Sequence, residues 1–159
     1  MELLDYTGKL NTHEEYLKVL DKLEDRCKYI EIVVLDERES NELIEQFKNS
    51  IILRKKVASW WWGEELYYDD NLEKVNRGNW LYRIKPSKEF FNYLRKYETF
   101  CKYYEKYDEE YNDYVGVQEG TDFGIDDIAF FDESSVPLLL TETHECDIVI
   151  REDLEKEIR

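Results

Sequence analysis

A chain of 159 residues, 42% of them apolar and 15% aromatic, is long enough for one domain with a sizeable core and too apolar to be disordered, even with 38% charged side chains. Its formal charge of −16 weighs against direct nucleic-acid binding, because such a surface repels phosphates. The longest apolar runs, SIIL and VPLLL, are too short to span a bilayer, and the acidic start MELLDYTGKL lacks the basic and apolar pattern of a secretion leader.

In chain order, ELLDYTG reads as a short strand. NTHEEYLKVLDKLEDRC reads as a helix opened by a capping box, Thr12 with Glu15, in which hydroxyl and carboxylate each satisfy an orphan backbone N–H. Tyr16, Leu20, Leu23 and Cys27 then recur at helical spacing. KYIEIVVLD is rich in β-branched residues and predicts a strand. SNELIEQFKN predicts a shorter helix capped by Ser40, with Leu43, Ile44 and Phe47 inward. SIILRKKVASWWW and NWLYRIKP predict two more strands, the second closed by Pro86.

SKEFFNYLRKYETFCKYYEKYDEEYND predicts the longest helix, about 25 residues or roughly 38 Å, capped by Ser87. Its stripe runs Phe90, Leu94, Tyr97, Cys101, Tyr104 and Tyr111, widened by Tyr93, Phe100 and Tyr107. After Asp113, four extended stretches follow, YVGVQ, IDDIAFFD, VPLLLTET and CDIVI, with DESS as a hairpin turn, and REDLEKEIR closes the chain as a helix. Helices alternate with strands in the first half and strands follow one another in the second. The expected fold class is therefore α+β, a single domain spanning residues 1–159, with a mixed or antiparallel sheet and helices packed mainly on one face.

The charge is unevenly placed. Residues 108–159 hold 17 acids and 3 bases, a net of −14, whereas residues 1–107 are nearly balanced at 21 acids and 19 bases. The strands of that last third are expected to turn most of these acids outward on one contiguous negative face. Cys27, Cys101 and Cys146 are odd in number and far apart, which points to reduced thiols and a cytoplasmic location.

SWWWGEELYYDD sets three tryptophans before a run of carboxylates and two tyrosines. On a strand, Trp60 and Trp62 share one face and Trp61 takes the other. An aromatic patch of Trp61, Tyr67 and Tyr68 rimmed by Glu64, Glu65, Asp69 and Asp70 would suit a partner rich in Lys or Arg. GTDFGIDD reads as a turn with Gly120 and Gly124 at its corners, and its Asp122, Asp126 and Asp127 would extend the acidic contact surface. Asp122-Phe123-Gly124 is a kinase-like triplet without the other kinase elements.

His144 stands beside Glu142, Glu145, Cys146 and Asp147, but strand alternation splits them between two faces, so no metal site is expected. No phosphate-binding glycine loop or nucleophile elbow occurs, and no cofactor is expected. These features favour a small acidic inhibitor or immunity-type protein, which would block a basic protein partner such as a nuclease toxin or nucleic-acid enzyme, with no membrane partner. A metal-dependent hydrolase built on the aspartates and His144, and an adaptor domain using the tyrosine-rich helix, are the alternatives.

Overall fold

The computed structural model describes residues 3–6, 9–10, 12–35, 41–57, 78–101, 104–117, 120–143 and 147–159. Its elements are β1 (Leu3–Asp5), α1 (His13–Arg26), β2 (Tyr29–Val34), α2 (Glu42–Gln46), β3 (Ile51–Val57), β4 (Asn79–Ile84), α3 (Lys88–Arg95), β5 (Tyr104–Asp108), β6 (Asp113–Val117), β7 (Asp127–Phe131), β8 (Pro137–Glu142), β9 (Asp147–Arg151) and α4 (Glu152–Ile158).

Seven strands form one sheet in the order β1-β9-β8-β7-β2-β4-β3, and every neighbouring pair is antiparallel. The α+β class is thus realised with an antiparallel sheet. One face carries the helices. Tyr16, Val19, Leu20 and Leu23 of α1, Phe90, Phe91 and Leu94 of α3, and Leu154 and Ile158 of α4 pack with Ile30, Ile32, Tyr82, Ile84, Ile128, Phe130 and Ile150 of the strands. These strand residues are alternate positions, as the two-residue period requires. Val33, Val57, Leu81, Ala129, Phe131 and Leu140 form a second buried cluster on the sheet's other face. Burial on both faces explains why β8 reads PLLL rather than alternating.

The helix starts follow their caps. Thr12 Oγ1 accepts a hydrogen bond from Glu15 N at 3.1 Å, and Ser87 Oγ accepts one from Phe90 N at 3.1 Å. The α2 helix is capped by Asn41, whose Oδ1 accepts from Ile44 N at 2.9 Å, rather than by the expected Ser40, which lies outside the described residues.

The long tyrosine helix is not formed. Its helical part ends at Arg95, and the chain turns so that Phe100 drops into the core, edge-on to Tyr16 at 5.1 Å and to Phe123 at 6.0 Å. Downstream, Tyr104–Asp108 and Asp113–Val117 pair as an antiparallel hairpin, with Tyr107 opposite Tyr114. The i, i+3, i+4 spacing of aromatic residues fits a helix stripe, but tyrosine and valine also favour strands, and the Asn112 left-handed turn (φ 51°) lets the two strands pair.

Candidate interaction surface

The structure divides the acidic C-terminal third into groups with different roles. The first is buried. Asp126 and Asp127 are only 7% and 1% exposed. Asp126 Oδ2 accepts from Leu35 N at 2.7 Å, and Asp127 Oδ1 accepts from Thr141 Oγ1 at 2.8 Å and Thr143 N at 2.9 Å. A buried carboxylate that satisfies backbone N–H groups is a structural anchor. The expectation that these two aspartates belong to an exposed partner surface is therefore corrected. Asp127 opens β7 and Asp126 precedes it, and their side chains turn inward to bind chain segments on either side.

Around them the glycine turn forms as its corners suggest. Gly124 has φ +82°, and a Cβ there would lie 2.9 Å from Asn41 Nδ2, so glycine meets both a conformational and a steric demand. Phe123 of the kinase-like triplet is a core side chain, edge-on to Tyr97 at 5.0 Å. Asp122 is half-buried at an open hollow it shares with Lys96, Tyr97 and Glu98.

A second group is matched by cations. Arg151 Nη1 lies 2.6 Å from Asp132 Oδ2, and its Nε lies 2.7 Å from Asp153 Oδ1. Arg26 reaches the other oxygen of Asp153 at 2.5 Å and Glu157 at 3.5 Å. Glu155 and Glu152 pair with Arg159, which caps α4, and with Lys156, respectively. The Arg151 hydrogen bonds hold Asp153 far below the usual carboxylate range against the opposing effect of burial, with Arg26 adding to them. For Asp132, burial pushes upward, but Arg151 and the Val136 and Ser134 N–H groups outweigh it and leave the carboxyl lowered. So part of the negative excess is neutralised by Arg26 from the first half of the chain, and the acids do not make one even face.

The third group is the β5–β6 hairpin. Asp108, Glu109, Glu110 and Asp113 crowd its turn, and no ion pair among the described residues reaches any of them. Asp108 Oδ1 accepts from Glu110 N at 2.9 Å and Asp113 Oδ1 from Tyr114 N at 2.8 Å, which shapes the turn. Three tyrosines stand with them, Tyr107, Tyr111 and Tyr114, exposed at 46%, 68% and 63%. Tyr107 and Tyr114 meet edge to face across the strands at 5.3 Å, and the Tyr107 hydroxyl donates to Asn112 Oδ1 at 2.5 Å. These rings are half of the exposed large apolar side chains among the described residues, which total six. Large amphipathic rings beside carboxylates can stack on, and pair with, cationic side chains.

Trp61, Glu64, Glu65, Tyr67, Tyr68, Asp69 and Asp70 lie outside the described residues, as do His144, Glu145 and Cys146. Of the expected contact residues, only Asp122 is described and at least partly exposed. Sequence reasoning placed Tyr107 and Tyr111 on a helix stripe and overlooked Glu109 and Glu110. The signal it passed over is the Asn-Asp step between two tyrosine-bearing stretches, a turn signature. Among the described residues, no group of three His, Cys, Asp or Glu side chains is placed to hold a metal ion, and no helix is long and apolar enough to cross a membrane. Comparison with protein-family models, with curated proteins and with solved structures finds no match to this chain.

Proposed function

We propose that this protein is a small acidic inhibitor or immunity-type protein of the cytoplasm. It binds a basic protein partner, such as a nuclease toxin or another enzyme with a cationic nucleic-acid cleft, and blocks that cleft. The observation that carries this reading is the β5–β6 hairpin, where four carboxylates that no ion pair among the described residues reaches stand with three exposed tyrosines. Enzymes that grip phosphates do so with Lys and Arg, so their clefts attract a carboxylate-rich surface over several ångströms of solution. The tyrosines add contact area at low entropy cost, the usual source of tight binding at an interface centre.

Asp126 and Asp127 bind backbone and threonine groups of this chain and do not converge on an open site. The helix of the adaptor alternative ends at Arg95, and Tyr104, Tyr107 and Tyr111 belong to the hairpin instead.

The test uses the whole chain as bait in its native cytosol, beside a Glu109→Lys/Glu110→Lys variant. A basic protein held by the parent, released by moderate salt and absent from the variant supports the reading. A partner retained equally by both, or one without a basic surface, sinks it.

A further inference from the structure

Among the described residues, the β5–β6 hairpin is a sheet of two strands, joined to no strand of the seven-stranded sheet. Among the described residues, beyond its own ladder, turn and Tyr107–Tyr114 contact, no hydrogen bond, ion pair or ring contact joins Tyr107–Val115 to another residue. Two strands alone are marginal in water, and among the described residues no further strand pairs with the backbone N–H and C=O groups on the outer edge of either. The two edges differ. The β5 strand, YEKYD, carries Lys106 at its centre, and a lysine on an edge strand disfavours a further strand, above all a cationic one. The β6 strand, DYVGV, carries no basic residue and has β-branched residues at Val115 and Val117.

We propose that the basic partner is captured as an added β-strand on the outer edge of β6. This rests on the reading of the hairpin as the contact surface and specifies how that surface binds. The occupant is an extended segment in which Arg or Lys alternates with apolar residues. Placed beside β6, a cation opposite Tyr114 lies within cross-strand distance of its exposed ring, and the next residue, on the other face, meets Val115. The chain already uses this contact internally: the Arg83 guanidinium sits 4.6 Å from the Tyr29 ring centre. Charge selects a cationic strand over a second copy of this hairpin, because two tips each carrying Asp108, Glu109, Glu110 and Asp113 repel one another. Main-chain hydrogen bonds supply affinity, and alternate side chains supply selectivity.

The experiment titrates the full chain, isotope-labelled, with three synthetic peptides: alternating arginine and valine, the same sequence with every backbone nitrogen methylated, and alternating glutamate and valine. The expected result is binding of the first, with slowed amide exchange at Tyr114–Val117, and at least about tenfold weaker binding of the methylated form, since several backbone hydrogen bonds are lost. The glutamate peptide is expected not to bind. Equal binding of the two arginine peptides overturns strand addition and leaves the acidic contact surface standing. Equal binding of the glutamate peptide overturns the cationic occupant. Absence of binding by either arginine peptide overturns the proposal, and the bait comparison with the charge-reversed variant then decides the broader reading independently.

Discussion

The Arg151 guanidinium meets the Asp153 carboxylate side-on, Nε 2.7 Å from Oδ1 and Nη2 3.1 Å from Oδ2. Arg151 is itself buried and also reaches Asp132 in the β7–β8 turn, while Arg26 of α1 closes on Asp153 from the other side. One side chain thus joins the end of β9, a hairpin turn and the start of α4. Removing a buried cation strands its acids, so Arg151→Met is expected to cost about 3 kcal/mol in urea unfolding.

The same cluster sets the acid limb of stability. Asp132 and Asp153 have folded-state pKa values below their unfolded ones, so their contribution is present above the ordinary carboxylate range and is lost as pH falls through the folded values. Stability measured from neutral pH downward is expected to fall below about pH 4 in the parent protein. In Arg151→Met that fall is expected to be shallower.

Glu31 titrates with the opposite sign. Burial raises its pKa, and Arg83, at 3.5 Å, offsets this only in part. A raised folded pKa gives stability that is full below the unfolded value and is lost as pH rises through the folded one. Glu31→Gln removes that loss. Its stability relative to the parent is therefore expected to improve from about pH 4 to pH 7, measured by denaturant unfolding at both.

Asp127 is predicted to act as an anchor. Its Oδ1 serves both Thr141 Oγ1 and Thr143 N in a dry setting. Asp127→Ala is expected to cost about 2–3 kcal/mol by leaving a backbone N–H unpaired, and Asp127→Lys is expected to prevent folding. Normal melting of the lysine variant would return Asp127 to the surface.

The hairpin tip should behave in the opposite way. Tyr111→Ala and Glu110→Lys alter exposed side chains and are expected to leave the unfolding midpoint unchanged. With a captured basic partner, Glu110→Lys is expected to slow association and to weaken its dependence on salt, because steering acts on the encounter.

Cys27 offers a check on the core. It is buried at the end of α1, its Sγ donates to Tyr29 O at 3.2 Å, and burial pushes the thiol up to about 12. Alkylation at pH 8 followed residue by residue is expected to leave Cys27 unmodified in the native protein and to modify it in denaturant.

Sequence patterning alone determined the elements whose information is local. Thr12 and Ser87 announce helix starts through their own hydroxyls, and β2, β4 and β7 are legible as alternating or β-branched runs. Consecutive strands in the second half pointed to a sheet with helices on one face, which the antiparallel order realises. Three matters were decided only by tertiary structure. Tyr104 and Tyr107 fit a helical stripe as well as a strand, and pairing of β5 with β6 settled the choice through contacts a helix pattern does not encode. Whether an aspartate is a surface charge or an anchor depends on donors elsewhere in the chain: Leu35 N for Asp126, and Thr141 and Thr143 for Asp127. The acidic excess after Asp108 is plain in the composition, yet Arg26 neutralises Asp153 across 127 residues of sequence, and only folding reveals which carboxylates meet a cation.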